Sequence, residues 1–294
     1  MGNKKQAQVA LVATLGSEPQ VITSALDLLL QKGEDITAVY VLHTSSEINS
    51  PIDRAIKTLK KELFSSSYPS SSNTFFLPIE HAGHPLSDVE TKQAVQCFFH
   101  QLYRCIWQLK QDNWRIHLSI AGGRKTMSVF GMAVAQLLFD ESDCLWHLFS
   151  EGEFLVSKRL HPLPNDQVHL IPVPVILWSQ ISPVMDPLRT IDNPEQAIER
   201  VRSLQLNEKV KKAQIFIQNS LTPAERNVVQ ALVQQGDSDQ IMAEVLNLSP
   251  RTIEQHLRSS YRKAAVFWNL QDVGRTQLVS LLSLYFSTQI TGKP

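Results

Sequence analysis

The chain is poor in cysteine. It has three in 294 residues, Cys97, Cys105 and Cys144, an odd number that includes no C-x-x-C pair. That excludes a disulfide framework and a zinc ribbon, and it makes a reducing, cytoplasmic compartment the expectation. No metal and no cofactor are expected either. A charge surplus is missing too. Lysine plus arginine number 28 and aspartate plus glutamate 28, so no global field draws the protein to nucleic acid or to a membrane, and any contact with a polyanion has to be local. No apolar run reaches the roughly 18 residues of a spanning helix; the longest, Val129 to Phe139, is interrupted by Gln136. The apolar stretch Val9 to Leu15 behind Lys4 and Lys5 is short, meets Glu18 at once and has no small-residue cleavage site, so export is not expected.

What is present is ordinary for a folded chain. Apolar residues make up 43% of it, and the length suits about two domains of roughly 150 residues each. Val9 to Leu15 reads as a continuous apolar strand, Val21 to Leu30 as a helix, Ile36 to Leu42 as a strand and Asp53 to Phe64 as an amphipathic helix. Ser65 to Asn73, six of whose nine residues are serine, reads as an exposed loop. Phe75 to Ile79 resumes as a strand, followed by a long helix from Glu90 to Lys110, a strand from Trp114 to Ile120, a helix from Lys125 to Phe139 and a strand from Leu145 to Phe149. Alternation of this kind predicts a doubly wound, Rossmann-like α/β fold with a parallel sheet covered on both faces. Seven of the fifteen prolines fall between Pro162 and Pro194, which argues against a central strand there and for an extended connection. The expected division is an α/β domain over 1–180, a proline-containing linker and connecting helix over 181–219, and a small all-α domain over 220–294.

In a parallel sheet, ligands sit beyond the carboxyl ends of the strands, where loops enter helix N-termini that attract anions. Two segments have that form. In Leu15-Gly16-Ser17-Glu18-Pro19-Gln20, Gly16 permits a tight turn, while Ser17 and Gln20 have the spacing of a capping box, which would make Ser17 simply a cap. In Ser119-Ile120-Ala121-Gly122-Gly123-Arg124-Lys125-Thr126-Met127-Ser128, two glycines let backbone approach a ligand, and two cations then open a helix. Cations at that end are unfavourable by roughly 0.3–1 kcal/mol each unless an anion meets them. The alternative is a solvated basic turn. Arg124 stands where a phosphate-binding Walker A loop requires glycine before lysine, which disfavours a phosphoryl-transfer NTPase. His81, His84 and His147 are candidates to titrate near neutrality, but no residue declares itself a general base.

Together the two segments, extended through Leu145-Trp146-His147-Leu148-Phe149, resemble the CRISPR-associated Rossmann-fold (CARF) sensors over roughly residues 7–180, and within them the ring nucleases. The resemblance implies a homodimer whose paired turns form one two-fold site for cyclic oligoadenylate, a ring of four adenylates. It implies metal-independent cutting, in which a ribose 2′-hydroxyl attacks its own phosphate and leaves a 2′,3′-cyclic phosphate. Lys125 would stabilise the developing charge and Ser17 would orient the ribose or phosphate. Gly16, Gln20, Gly122, Gly123, Arg124, Thr126 and Ser128 would bind the ligand. The alternative is a ligand-gated regulator of transcription that binds the ring without cutting it.

Leu221-Thr222-Pro223-Ala224-Glu225-Arg226 opens a helix with Thr222 as its cap, Gln240 to Leu246 reads as a second helix, and Ser249-Pro250 starts a third that runs to about Ala264. The spacing, together with Leu248-Ser249-Pro250-Arg251-Thr252-Ile253 and Arg275-Thr276-Gln277-Leu278-Val279, resembles the LuxR-type helix-turn-helix domain. At ~100° per residue, Ile253, Leu257, Tyr261 and Ala264 share the inward side, and Arg251, Gln255, Arg258 and Arg262 form an opposite stripe suited to the major groove of double-stranded DNA. The alternative is a helix-turn-helix kept for packing or protein contact.

Overall fold

Seven consecutive apolar or small residues, Val9–Leu15, make strand β1, and every one of them is buried, as a central strand of a parallel sheet requires. It pairs in parallel with β2 (Ile36–His43) on one edge and β6 (Arg115–Ser119) on the other. β3 (Thr74–Pro78) extends the sheet beyond β2, and β7 (Cys144–Ser150) extends it beyond β6, both in parallel. β8 (Val168–Pro172) closes the far edge antiparallel to β7, which gives the strand order β3-β2-β1-β6-β7-β8. The order reverses between β1 and β6, so the loops that leave these two neighbours diverge to opposite faces and open a crevice. This is a computed structural model. It describes residues 8–44, 48, 50–64, 68, 73–177, 190–235 and 238–291, and the chain divides into two compact units, 1–199 and 200–294.

Helix α1 (Gln20–Gln31) and α2 (Pro51–Leu63) gather Ile22, Leu26, Leu29, Leu59 and Leu63 into one cluster with Leu11, Ala13 and Leu15 of β1. The alternate residues Ala10 and Val12 are equally buried but outside that cluster, on the other face, where α3 (Lys92–Gln111) packs on β6 and on α4 (Lys125–Leu138). Two of these helices begin on side-chain caps: Ser50 accepts from the Asp53 amide at 3.1 Å and Thr91 from the Ala94 amide at 3.1 Å.

The α/β fold is as expected, with three differences. The sheet is mixed rather than wholly parallel, because a strand forms inside the proline-rich segment. β8 lies at the edge, where Pro172 removes no interior ladder bond. A two-residue hairpin, β4 (Glu80–His81) and β5 (His84–Pro85), turns through Ala82 and Gly83, both at positive φ, and a short helix α5 (Gly152–Ser157) precedes β8. Finally, Pro19 takes the cap position of α1 and makes no side-chain cap, so the expected Ser17–Gln20 capping box is not made. The Gln20 side-chain amide donates instead to Glu18 Oε2, at 2.7 Å. Most of the serine-rich stretch 65–73 and residues 178–189 of the linker lie outside the described residues.

The second unit is all helical: the end of α6 (Pro194–Asn219), then α7 (Pro223–Gln235), α8 (Asp239–Leu246), α9 (Pro250–Trp268) and α10 (Arg275–Thr291). Phe216, Val228, Leu232, Met242, Ile253, Leu257, Leu278 and Leu282 form its core. A capping box does open α7, with the Thr222 amide donating to Glu225 Oε2 at 2.7 Å and the Glu225 amide to Thr222 Oγ1 at 3.4 Å. Asn247, left-handed at φ 54°, ends α8, and Ser249 caps α9 three residues before Thr252. Among the described residues no helix is long and apolar enough to cross a membrane.

Candidate functional site

The turns after β1 and β6 meet at the crevice, and glycine is what lets them meet. A side chain on Gly122 would collide with the Thr14 carbonyl oxygen, and a Cβ on Gly16 would stand 3.0 Å from the Gly123 amide nitrogen. Thr14 Oγ1 seals the contact from below by donating to the Gly122 carbonyl at 2.6 Å. Gly123 itself is at φ +84°, a conformation that side chains resist, and Met127 Sδ fills the space beside it. The two segments are therefore one structure, joined backbone to backbone.

Above them lies a cleft of about 610 Å³ lined by Gly16, Ser17, Thr44, Ser50, Ser87, Asp88, Gly123, Arg124 and Met127, among others. Pro51 and Ile52 at the start of α2 border it, as do Arg124, the cap residue of α4, and Met127 in its first turn, so the positive ends of two helix dipoles lie beside the cleft. The Ser17 hydroxyl is exposed and has no hydrogen-bond partner among the described residues. Its freedom follows from the late start of α1.

Arg124 is answered within the protein. Its Nε donates to Asp88 Oδ1 at 2.9 Å, its Nη2 pairs with Asp88 Oδ2, and the same Nη2 lies 2.6 Å from Glu90 Oε1. The hydrogen bond from Arg124 holds the Asp88 carboxyl below the usual carboxylate range. The cations that open α4 were unfavourable on sequence grounds unless an anion met them, and for Arg124 the anions are these two side chains. Lys125, next to it, is exposed and has no ion pair or hydrogen bond among the described residues.

The other expected residues take different places. Gly122 is buried behind the turn. Thr126 donates to the Val89 carbonyl at 3.4 Å and Ser128 to the Ile120 carbonyl at 2.7 Å, so both hydroxyls are engaged by backbone. Gln20 is buried, with its amide on Glu18, which in turn pairs with Lys158 at 2.7 Å. The histidines weighed as bases lie elsewhere. His81 Nε2 is 2.9 Å from the Gln93 amide and its Nδ1 3.4 Å from Cys97 Sγ, in a different cavity over α3, while His84 and His147 are exposed on β5 and β7. Sequence reasoning missed Asp88, Glu90 and the hydroxyls of Thr44, Ser50 and Ser87. Nothing in a lone Ser-Asp after a hairpin marks it for this crevice; only the sheet order brings it there.

In the second unit the four residues of the expected stripe, Arg251, Gln255, Arg258 and Arg262, are all exposed along α9, while Ile253, Leu257 and Ala264 are buried. Tyr261 is half-buried and Ser260 takes the fully buried place beside it. Glu254 Oε1 pairs with Arg258 Nη2 at 2.6 Å across one helical turn.

An α/β sheet with its crevice at the strand-order reversal, joined to a helix-turn-helix unit, is the architecture of a CRISPR-associated domain carrying a LuxR-type output domain, and the family comparisons agree. Residues 18–206, well over half of the chain, match the model of the CRISPR-associated protein NE0113 family (Cas_NE0113), and the chain belongs to that family. Residues 219–268 match the model of the bacterial regulatory proteins of the luxR family. No curated protein matches the chain.

Proposed function

We propose that the protein senses cyclic oligoadenylate, specifically a ring of four adenylates, in type III CRISPR antiviral signalling, and cuts it without a metal. In this reading it is a cytoplasmic homodimer whose helix-turn-helix domain binds double-stranded DNA and regulates transcription. The observation that carries the reading is the backbone contact of the two glycine turns at the strand-order reversal, beside which lie a hydroxyl-lined cleft, two helix N-termini and, as the first residue of α4, Lys125, unpaired among the described residues. Glycine backbone at Gly16 and Gly123 leaves room for a phosphodiester to approach. Ser17 orients the ribose or its phosphate, and Lys125 stabilises the charge that develops as the 2′-hydroxyl oxygen bonds to phosphorus and the 5′-oxygen leaves. Gln20, Gly122, Arg124, Thr126 and Ser128 support these groups in the same assignment.

Two surfaces support the partners. On β7 and β8 the paired residues His147 with Ile171 and Phe149 with His169 are all exposed, a sheet face suited to a second copy of the chain. On α9 the stripe Arg251, Gln255, Arg258 and Arg262 is free of core contacts and suits base edges and phosphates.

The experiment is incubation of the purified protein with cyclic tri-, tetra- and hexa-adenylate in EDTA, followed by separation of products. Linear fragments ending in 2′,3′-cyclic phosphate from the tetra-adenylate ring are expected, and Lys125→Ala should lower the rate by ~10²-fold or more, the usual loss for a group that stabilises developing charge. Undiminished turnover in that variant overturns the role of Lys125. One observation favours a second reading, that of a regulator which binds the ring and does not cut it: none of His81, His84 and His147, the histidines weighed as bases, lines the cleft. Intact rings retained by the protein would establish that reading instead.

A further inference from the structure

We propose that Asp88 and Glu90 are an acidic latch on Arg124: their carboxylates occupy, in the ligand-free protein, the place that a ligand phosphodiester takes on binding. The inference rests on the reading of the cleft as a cyclic oligoadenylate site, and it adds to that reading two residues and a mode of regulation.

A carboxylate and a phosphodiester each present two anionic oxygens to the fork of a guanidinium, so they compete for one edge of it. Asp88 engages that edge through both oxygens, Oδ1 to Nε at 2.9 Å and Oδ2 to Nη2. It is anchored there. Val89, its neighbour, is 1% exposed, donates its amide to Asp88 Oδ1 at 2.7 Å and accepts from Thr126 through its carbonyl. Glu90 has no such anchor: it is exposed, and Arg124 is its partner among the described residues. Glu90 is therefore the arm that yields readily, and Asp88 the fixed one. Val89, between the two acids, accepts from Thr126 in the first turn of α4, and both acids pair with the cap residue Arg124, so they lie near the helix end where the dipole favours an anion. At Arg124 a bound phosphate finds the cation already met, so binding to that guanidinium is an exchange rather than an addition, whereas Lys125 has no ion pair among the described residues. Because Asp88 lines the cleft and Arg124 lines it beside Asp88, the exchange takes place where the ring would lie. Its consequence is a threshold: the latch sets the ring concentration at which the protein responds.

The test uses Asp88→Asn, Glu90→Gln and the double variant of the full chain. Each removes charge at nearly constant shape, and asparagine at 88 still offers an oxygen to the Val89 amide. Calorimetric titration with a cyclic tetra-adenylate carrying fluorine in place of each 2′-hydroxyl, which 2′ attack cannot cut, is expected to show ~3- to 10-fold tighter binding in the double variant, the range that exposed ion pairs of this kind account for. In the absence of ligand, Arg124 should be modified faster by phenylglyoxal in the variants, read as the modified peptide by mass spectrometry. A ring that binds the wild-type protein and binds the variants equally or more weakly overturns the latch and leaves the functional reading standing. A ring that binds no form overturns the functional reading. In that case an unchanged phenylglyoxal rate overturns the latch as well, whereas a faster one supports the sequestration of Arg124 by the carboxylates and overturns the ring as the group that displaces them.

Discussion

At the scale of single residues, Gly122 carries the sharpest expectation. A methyl group there meets the Thr14 carbonyl oxygen, and neither partner is the end of a flexible side chain. Gly122→Ala should therefore push the two turns apart and destabilise the protein by about 1–3 kcal/mol, visible as a lower urea midpoint; an unchanged midpoint would show that the turns are not in contact. Glu225 gives a prediction of a different kind. Burial would raise its carboxyl, but hydrogen bonds from Lys263 and from the Thr222 amide outweigh that and bring it down to about 2. A carboxylate lowered on folding contributes stability above its unfolded value, near 4.5, and loses it as pH falls towards 2. Hydrogen exchange in α7 should accordingly differ between wild type and Glu225→Gln at pH 7 and converge by about pH 2. The sequence showed the glycines and the Thr222–Glu225 spacing, because both are local. It misjudged Ser17, whose cap depends on where the helix starts, and it was silent on Asp88, which reaches Arg124 from 36 residues away.

At the scale of elements, legibility followed the strength of the local signal. The helices α6 to α9 begin and end close to where caps, prolines and periodicity put them. The hairpin β4–β5 has two residues a side, too few to show alternation, and β8 hides among prolines because an antiparallel edge tolerates what a central strand does not. The segment between α5 and β8 illustrates tertiary contacts that no local pattern reports. His161 Nδ1 bonds Asp27 of α1 at 2.8 Å, its Nε2 bonds Glu62 of α2 at 3.2 Å, the Tyr68 hydroxyl shares Asp27, and the Leu160 carbonyl accepts from Thr23. Burial opposes charge on this imidazole, but Asp27 and Glu62 prevail and raise it above the ordinary histidine value of 6.5. A group raised on folding stabilises below its unfolded value and ceases to do so as pH rises through the folded one. Amide exchange at residues 158–163 should quicken as pH rises through that range beyond the intrinsic rate increase, and His161→Ala should remove the excess. An equal excess in the variant would assign it elsewhere.

Helix α9 shows the same principle as the latch on Arg124, a cation compensated by a nearby acid. Glu254 stands one turn before Arg258 and pairs with it at 2.6 Å, so a DNA phosphate or base edge has to compete for that guanidinium. Glu254→Gln should strengthen DNA binding by several-fold at low salt, with the difference shrinking as salt rises, since exposed pairs are screened. A gel shift with genomic fragments over a salt series reads both effects. Equal affinities at low salt would mean that Arg258 does not face the nucleic acid.

At the scale of the whole molecule, the two units offer a test that needs no knowledge of how one influences the other. The first unit carries the crevice and the second the exposed stripe, so a ring and a DNA duplex bind at distinct places in the proposed function. If the ring changes the affinity for DNA by some factor, the DNA must change the affinity for the ring by the same factor, because both follow from one coupling free energy. Couplings of this kind are typically about 1–3 kcal/mol, or roughly 5- to 150-fold. The expected result is therefore a matched pair of shifts, measured once as DNA affinity with and without saturating ring, and once as ring affinity with and without saturating DNA. A cut ring would spoil the equilibrium, so the comparison uses a tetra-adenylate ring with fluorine in place of each 2′-hydroxyl, which 2′ attack cannot cut. Equal factors different from one would make the protein a ligand-gated regulator whatever its turnover. Factors of one in both directions would separate the functions, leaving ring removal to the first unit and DNA binding to the second with no signal passing between them.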